Sequence, residues 1–169
     1  MKRSERGFTL VEIMIVVAII ALLAAIAIPN VLRGRTTANE TAAIGNMRAL
    51  ISSLEMFRSV NGTYPVTANW VANMYPAGGV PAFGPPAFNA AMTPLGTPTV
   101  QSYKYLYASA APGATYTIQS TPLTLNSTGT RSFFVDESGQ IRHCTTAVQD
   151  ALAVVGSPTI DVAGVPANC

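Results

Sequence analysis

Few residues in this chain are equipped for chemistry. Its 169 residues include one histidine, two cysteines and eight Asp+Glu. One acid stands apart from the rest. Glu12 is the single ionisable group in the otherwise apolar stretch from Phe8 to Leu32. A carboxylate near the start of an apolar helix costs a few kcal/mol to place in a bilayer, which makes it a functional residue by default and calls for a partner.

The other candidates are weaker. His143 and Cys144 are neighbours that could serve as base and nucleophile, but adjacent strand residues point to opposite faces. Asp136, Glu137, Asp150 and Asp161 offer oxygen ligands for a hard cation, yet they are dispersed and lack the dense spacing of a calcium loop. The expectation is therefore no catalytic constellation, no metal site, no cofactor and no enzyme. Asn39-Glu40-Thr41, Asn61-Gly62-Thr63 and Asn126-Ser127-Thr128 match the glycosylation triplet, a pattern short enough to arise by chance. The net charge of +2 comes from Lys2, Arg3 and Arg6 opposed by Glu5; beyond them seven basic and seven acidic residues balance. A broad basic surface for nucleic acid is thus disfavoured.

The element that must carry Glu12 is plain from composition. Ile13 to Ile28 is sixteen residues without a charge or hydroxyl, and Phe8 to Leu32 spans 25 residues. As a helix that segment is about 37 Å long, enough to cross a hydrocarbon core. The basic leader should remain cytoplasmic, with the bulk of the chain on the far side. A secretory signal peptide, with Ala25-Ile26-Ala27 as its small-x-small cleavage site, shares these cues, as does a plain anchor. Neither gives Glu12 a task.

Gly7-Phe8-Thr9-Leu10-Val11-Glu12, after a short basic leader and before an unbroken apolar run, resembles the prepilin motif of type IV pilins and their relatives. The likeness is close over residues 1 to about 35, including Pro29, and diffuse beyond Tyr64-Pro65. It implies cleavage between Gly7 and Phe8 by a prepilin peptidase, N-methylation of Phe8, and pairing of Glu12 with the Phe8 amine of a neighbouring copy in a homo-oligomeric helical filament. Such a pair between desolvated charges contributes register more than raw stability. The resemblance further implies partnership with inner-membrane assembly machinery and, before assembly, with membrane lipid. It places the chain in the bacterial inner membrane as a single-pass protein with its head outside the cytoplasm, then in an extracellular pilus or a periplasmic pseudopilus. The expected role is a structural subunit of an extracellular type IV pilus; the alternative is a pseudopilin of a type II secretion system.

The helix is expected to continue to Val60. Pro29 removes a donor and should kink or locally unwind it. Ile44, Met47, Leu50 or Ile51, Leu54 and Phe57 then form one apolar face at helical spacing, with Glu55 and Arg58 spaced for an i,i+3 pair, and Asn61-Gly62 stops it. Residues 63–100 hold seven of the twelve prolines and read as irregular, with one helical turn at Trp70–Tyr75. Strands are expected over 102–107, 114–120, 131–135 and 140–145, with Tyr103, Tyr105 and Tyr107 on one face and Gly139 closing a hairpin.

The fold class expected is α+β, a long N-terminal helix laid by its back half on a small antiparallel sheet. Its divisions are a leader (1–7), a transmembrane or filament-core helix (8–32), an amphipathic helix (33–61), a Pro/Gly-rich connection (62–100) and a sheet with a disulfide-closed end (101–169). Cys144 and Cys169 both fall on the exported side, where disulfides persist. Their pairing resembles the closed C-terminal region of type IV pilins; two free thiols are the alternative.

Overall fold

A computed structural model describes residues 7–77, 82–90, 92 and 98–144, with the backbone alone at Cys144. The chain forms two compact units, Met1–Arg35 and Thr36–Cys169. The helix α1, Leu10–Asn61, contributes to both.

In the first unit the α1 side chains are exposed all along the apolar run. Leu10, Ile15, Val17, Ile20, Leu22 and Ile26 each leave more than half their surface open. This segment is long and apolar enough to cross a membrane. A helix apolar on every side finds its burial in lipid or among other helices, not in a folded head. Helical structure is unbroken through Pro29 and Gly34, so the local unwinding expected at Pro29 does not occur here. The missing proline N–H costs one hydrogen bond of the ladder, and the helix continues past it.

In the second unit α1 buries one stripe, Ala43, Met47, Leu50, Leu54 and Phe57. The spacing of three and four residues keeps these side chains on one face. The helix stops at Asn61, where Gly62 takes a positive φ of 77°. Its N–H reaches back to the Arg58 carbonyl at 2.7 Å, the left-handed cap that glycine adopts without strain. Glu55 and Arg58 do not pair directly as the spacing suggested. The Tyr64 hydroxyl stands between them, donating to Glu55 Oε1 at 2.7 Å and accepting from Arg58 Nη1 at 2.9 Å.

Against the stripe lies a five-stranded antiparallel sheet in the order β1-β2-β3-β4-β5. Its strands are β1 Thr99–Val100, β2 Tyr103–Ala108, β3 Thr117–Pro122, β4 Ser132–Asp136 and β5 Arg142–Cys144. β1 is a strand the sequence pattern did not predict. It is two residues long and joins β2 through a two-residue turn, too short to show any alternation. β3 begins three residues later than expected and ends on Pro122, because its register against β2 pairs Tyr103 with Pro122 and Ala108 with Thr117.

The tyrosines of β2 behave as expected: Tyr103, Tyr105 and Tyr107 are all buried. They enter one core with the helix stripe, Ile118, Phe133 and Val135. The irregular connection adds Trp70, Met74, Phe88 and Met92. Its helical turn is α2, Trp70–Met74, and the Trp70 indole donates to the Phe88 carbonyl at 3.1 Å. Rings meet edge to face, Tyr64 with Tyr116 at 4.6 Å and Phe88 with Tyr105 at 4.9 Å, the arrangement their quadrupoles favour.

Candidate functional site

The first candidate site is the start of α1. Gly7, Phe8 and Thr9 precede the helix and are exposed, Phe8 by 86%. The Thr9 carbonyl accepts from the Ile13 N–H at 3.4 Å. The Thr9 N–H and hydroxyl both donate to Glu12 Oε2, at 2.8 and 2.7 Å, and the Glu12 N–H donates to Thr9 Oγ1 at 3.2 Å. This is a reciprocal capping box. It satisfies amide donors that would find no water inside a bilayer. Glu12 thus has a task within its own chain that the apolar reading missed. The signal was present, since Thr9-x-x-Glu12 before an apolar run is the sequence form of that box.

The structure also brings together a cluster around Glu40 that sequence reasoning passed over. Glu40 lies on α1 within the second unit and is only 5% exposed. Its Oε1 accepts from the Thr130 N–H at 2.8 Å and the Thr130 hydroxyl at 2.7 Å. Its Oε2 accepts from Arg131 Nε at 2.9 Å and Nη2 at 2.7 Å. Burial works against the charge, but the Thr130 and Arg131 donors outweigh it and hold the carboxyl below its ordinary range. The signal lay in register. Glu40 precedes Ala43, Met47, Leu50, Leu54 and Phe57 at the spacing of the buried stripe, and an acid there must find partners.

Among the described residues the remaining candidates do not gather into a site. Glu137 and His143 are exposed, and Asp136 pairs with Arg142 at 3.5 Å. Among the described residues no three His, Cys, Asp or Glu side chains are grouped to hold a metal. Asp150, Asp161 and Cys169 lie outside the described residues, as does the Cys144 side chain, and with them the expected disulfide. Desolvation holds the half-buried Tyr75 neutral, pushing it up to about 12, and the buried Tyr103, Tyr107 and Tyr116 further still. They pack; they are not poised to exchange protons near neutrality. An open cavity of about 570 Å³ lies along Thr67, Trp70, Val71 and Tyr75. It is apolar and lacks the convergent polar groups of a small-molecule site.

Comparison with known proteins adds to this geometry. Residues 2–28 match the family described as the prokaryotic N-terminal methylation motif. The type II secretion system core protein G of Dickeya chrysanthemi is 40% identical over 67 residues, which are 40% of this chain and 44% of that protein. The type IV wide pilus major component PilA4 of Thermus thermophilus is 43% identical over 70 residues, 41% of this chain and 52% of that protein. The type II secretion system core protein G of Escherichia coli is 35% identical over 78 residues, 46% of this chain and 54% of that protein. The chain spans about half the length of the curated relatives it matches. No solved structure gives a significant match. The methylation motif, the likeness of the N-terminal part to these relatives, and the long apolar helix followed by a small antiparallel sheet support the family of type IV pilins and type II secretion pseudopilins.

Proposed function

We propose that the chain is a structural subunit of a type IV filament, assembled through the front of α1 after removal of residues 1–7. The observation that carries this reading is an exposed apolar helix from Leu10 to Leu32 whose one acid, Glu12, stands at its very start. Prepilin peptidase cleaves between Gly7 and Phe8 and the new Phe8 amine is methylated. Before assembly the helix spans the inner membrane with residues 33–169 outside the cytoplasm. Glu12 then exchanges part of its capping box for the Phe8 amine of a neighbouring copy. Both charges lie in an apolar bundle, so a subunit shifted along the axis leaves them unpaired, and the pair acts as a register lock. Pro29 is the place where the helix can bend as copies pack.

Of the two filament classes, we propose the extracellular pilus. Two cysteines on the exported side, Cys144 and Cys169, support it, since closing the last 26 residues by a disulfide stabilises the head by about 3 kcal/mol in the chain-entropy account. The second reading is a periplasmic pseudopilus, favoured by the relatives named type II secretion system core protein G.

The test has three readouts. Mass spectrometry of the native protein is expected to show an N-methylated Phe8 at its start. Sheared cells are expected to release filaments containing it, and Glu12→Ala is expected to give processed, membrane-inserted protein without filaments. Normal filament yield from Glu12→Ala, with no wild-type subunit present, refutes the role of Glu12. Filaments found only in the periplasm, with cysteines that alkylate without reductant, favour the pseudopilus.

A further inference from the structure

The connection between β3 and β4, residues 123–131, is a compact loop folded on itself. The Asn126 N–H donates to the Gly129 carbonyl at 2.9 Å, the Thr128 N–H to the Thr124 carbonyl at 2.9 Å, and Leu125 bridges Gly129. Its outer residues Leu123, Asn126 and Ser127 are exposed. Its base is held by the Leu123 N–H, which donates to the Ser102 carbonyl at 2.9 Å, and its inner edge is tied down by side-chain contacts at three places. Asn39 Nδ2 donates to the Thr128 carbonyl at 2.9 Å, Glu40 takes the four donors of Thr130 and Arg131, and the Tyr103 hydroxyl donates to the Arg131 carbonyl at 2.9 Å. Gly129 has no side chain where the Tyr103 hydroxyl lies; a Cβ there would collide with it. The β3–β4 ladder pairs Thr117–Ser120 with Phe133–Asp136, so the loop lies beyond the paired residues and can move without breaking them.

We propose that Glu40 is the pin of an acid-released clasp. While ionised it fastens the 123–131 loop to α1; when protonated it lets the loop swing free while β2, β3 and β4 stay paired. One carboxylate takes four of the loop's polar anchors, and a neutral carboxylic acid loses the charge-assisted pair with the Arg131 fork and must turn one oxygen into a donor. The charged and titratable groups facing it are the Arg131 guanidinium and the Tyr103 phenol, which stays neutral. The direction follows from linkage. The carboxyl sits below its ordinary range when the loop is docked, so the clasp is fully present above the ordinary glutamate range and is lost as pH falls through the lower docked value. Arg131 keeps 37% of its side chain exposed, which gives water a route to the pair once it loosens. The clasp thereby decides whether the exposed tip is presented rigidly or on a free tether.

Amide hydrogen exchange of the full chain in detergent, corrected for intrinsic rates, tests this. In the wild type, opening of residues 124–131 is expected to rise by up to tenfold per unit of pH as pH falls from the ordinary glutamate range to the docked value, and to level off below it, with 117–122 and 132–136 still protected. Glu40→Gln is expected to exchange freely over 124–131 already at neutral pH, with no further rise on acidification. Arg131→Lys keeps the charge without the fork and is expected to fall between the two. Asp136→Asn, which breaks the Asp136–Arg142 pair, is expected to leave the loop protected. The proposal is overturned if Glu40→Gln retains wild-type protection over 124–131. It is equally overturned if acid exposes loop and strands in step. Should Glu40→Gln fail to fold, the wild-type titration and Arg131→Lys decide alone.

Discussion

The turn between β1 and β2 offers a sharp test of the described backbone. Val100 pairs with Tyr103, and the two residues between them, Gln101 and Ser102, have φ of 50° and 65°. Two successive positive φ values make this the mirror-image turn that suits the twist of a hairpin, and the sequence preferred there is Asn-Gly. An ordinary side chain in that conformation costs about 1–2 kcal/mol. Replacing Gln101-Ser102 by Asn-Gly removes most of two such costs. Against the gain stand the greater freedom of glycine in the unfolded chain, about 0.5–1 kcal/mol, and the loss of the exposed 3.2 Å bond from Asn46 to Gln101, about 0.5 kcal/mol. The net gain is about 1 kcal/mol, a rise of about 3–5 °C in the unfolding midpoint of the head. Near-ultraviolet circular dichroism of the full chain in detergent follows the buried aromatic core without interference from the apolar helix. Ser102→Val, with a branched side chain at positive φ, should lower the midpoint by a similar or larger amount. If the Asn-Gly variant melts at or below the wild type while Ser102→Val is neutral, the turn is not built as described.

Two further outcomes follow from the core. Leu54→Ala removes a fully buried side chain and is expected to cost the head about 2–5 kcal/mol, with the aromatic signal lost well before the far-ultraviolet helix signal in a denaturant series. The buried tyrosines have folded values raised above the ordinary one. Their contribution is therefore complete below about pH 10 and lost as pH rises from there toward the folded values. Phenolate absorbance is expected to appear late and together with alkaline unfolding, which stopped-flow absorbance at rising pH will show; an early, non-cooperative titration of all six tyrosines would contradict their burial.

How much of this was legible depends on where each signal resides. The apolar run, Glu12 and the Met47–Leu54–Phe57 stripe are local periodicities, and local patterns survive into the fold because helix and strand repeats are short. The tyrosine alternation of β2, the stop at Asn61-Gly62 and the Gly139 hairpin, where Gly139 takes φ 71°, were readable for the same reason. What escaped depended on residues far apart in the chain. Arg131 meets Glu40 across 91 positions, and nothing near either residue announces the other. β1 is defined only by its pairing with β2, and the end of β3 by register against Tyr103. Tyr64 captured Glu55 and Arg58 because a third group, brought in by the fold, served both better than they serve each other. The capping box was different, since its four residues were adjacent and only the question asked of Glu12 concealed it.

Each strand of the sheet lies beside the one that precedes it in the chain. Among the described residues no strand crosses over another to find its place, so the pairings close over short stretches of chain, and short closures are fast. If the chain is exported behind its helix, as proposed above, this sheet can zip together strand by strand in the order of emergence. Under that proposal new copies would spend little time as open, sticky edges beside one another, which matters for a filament subunit that is to associate through a different surface.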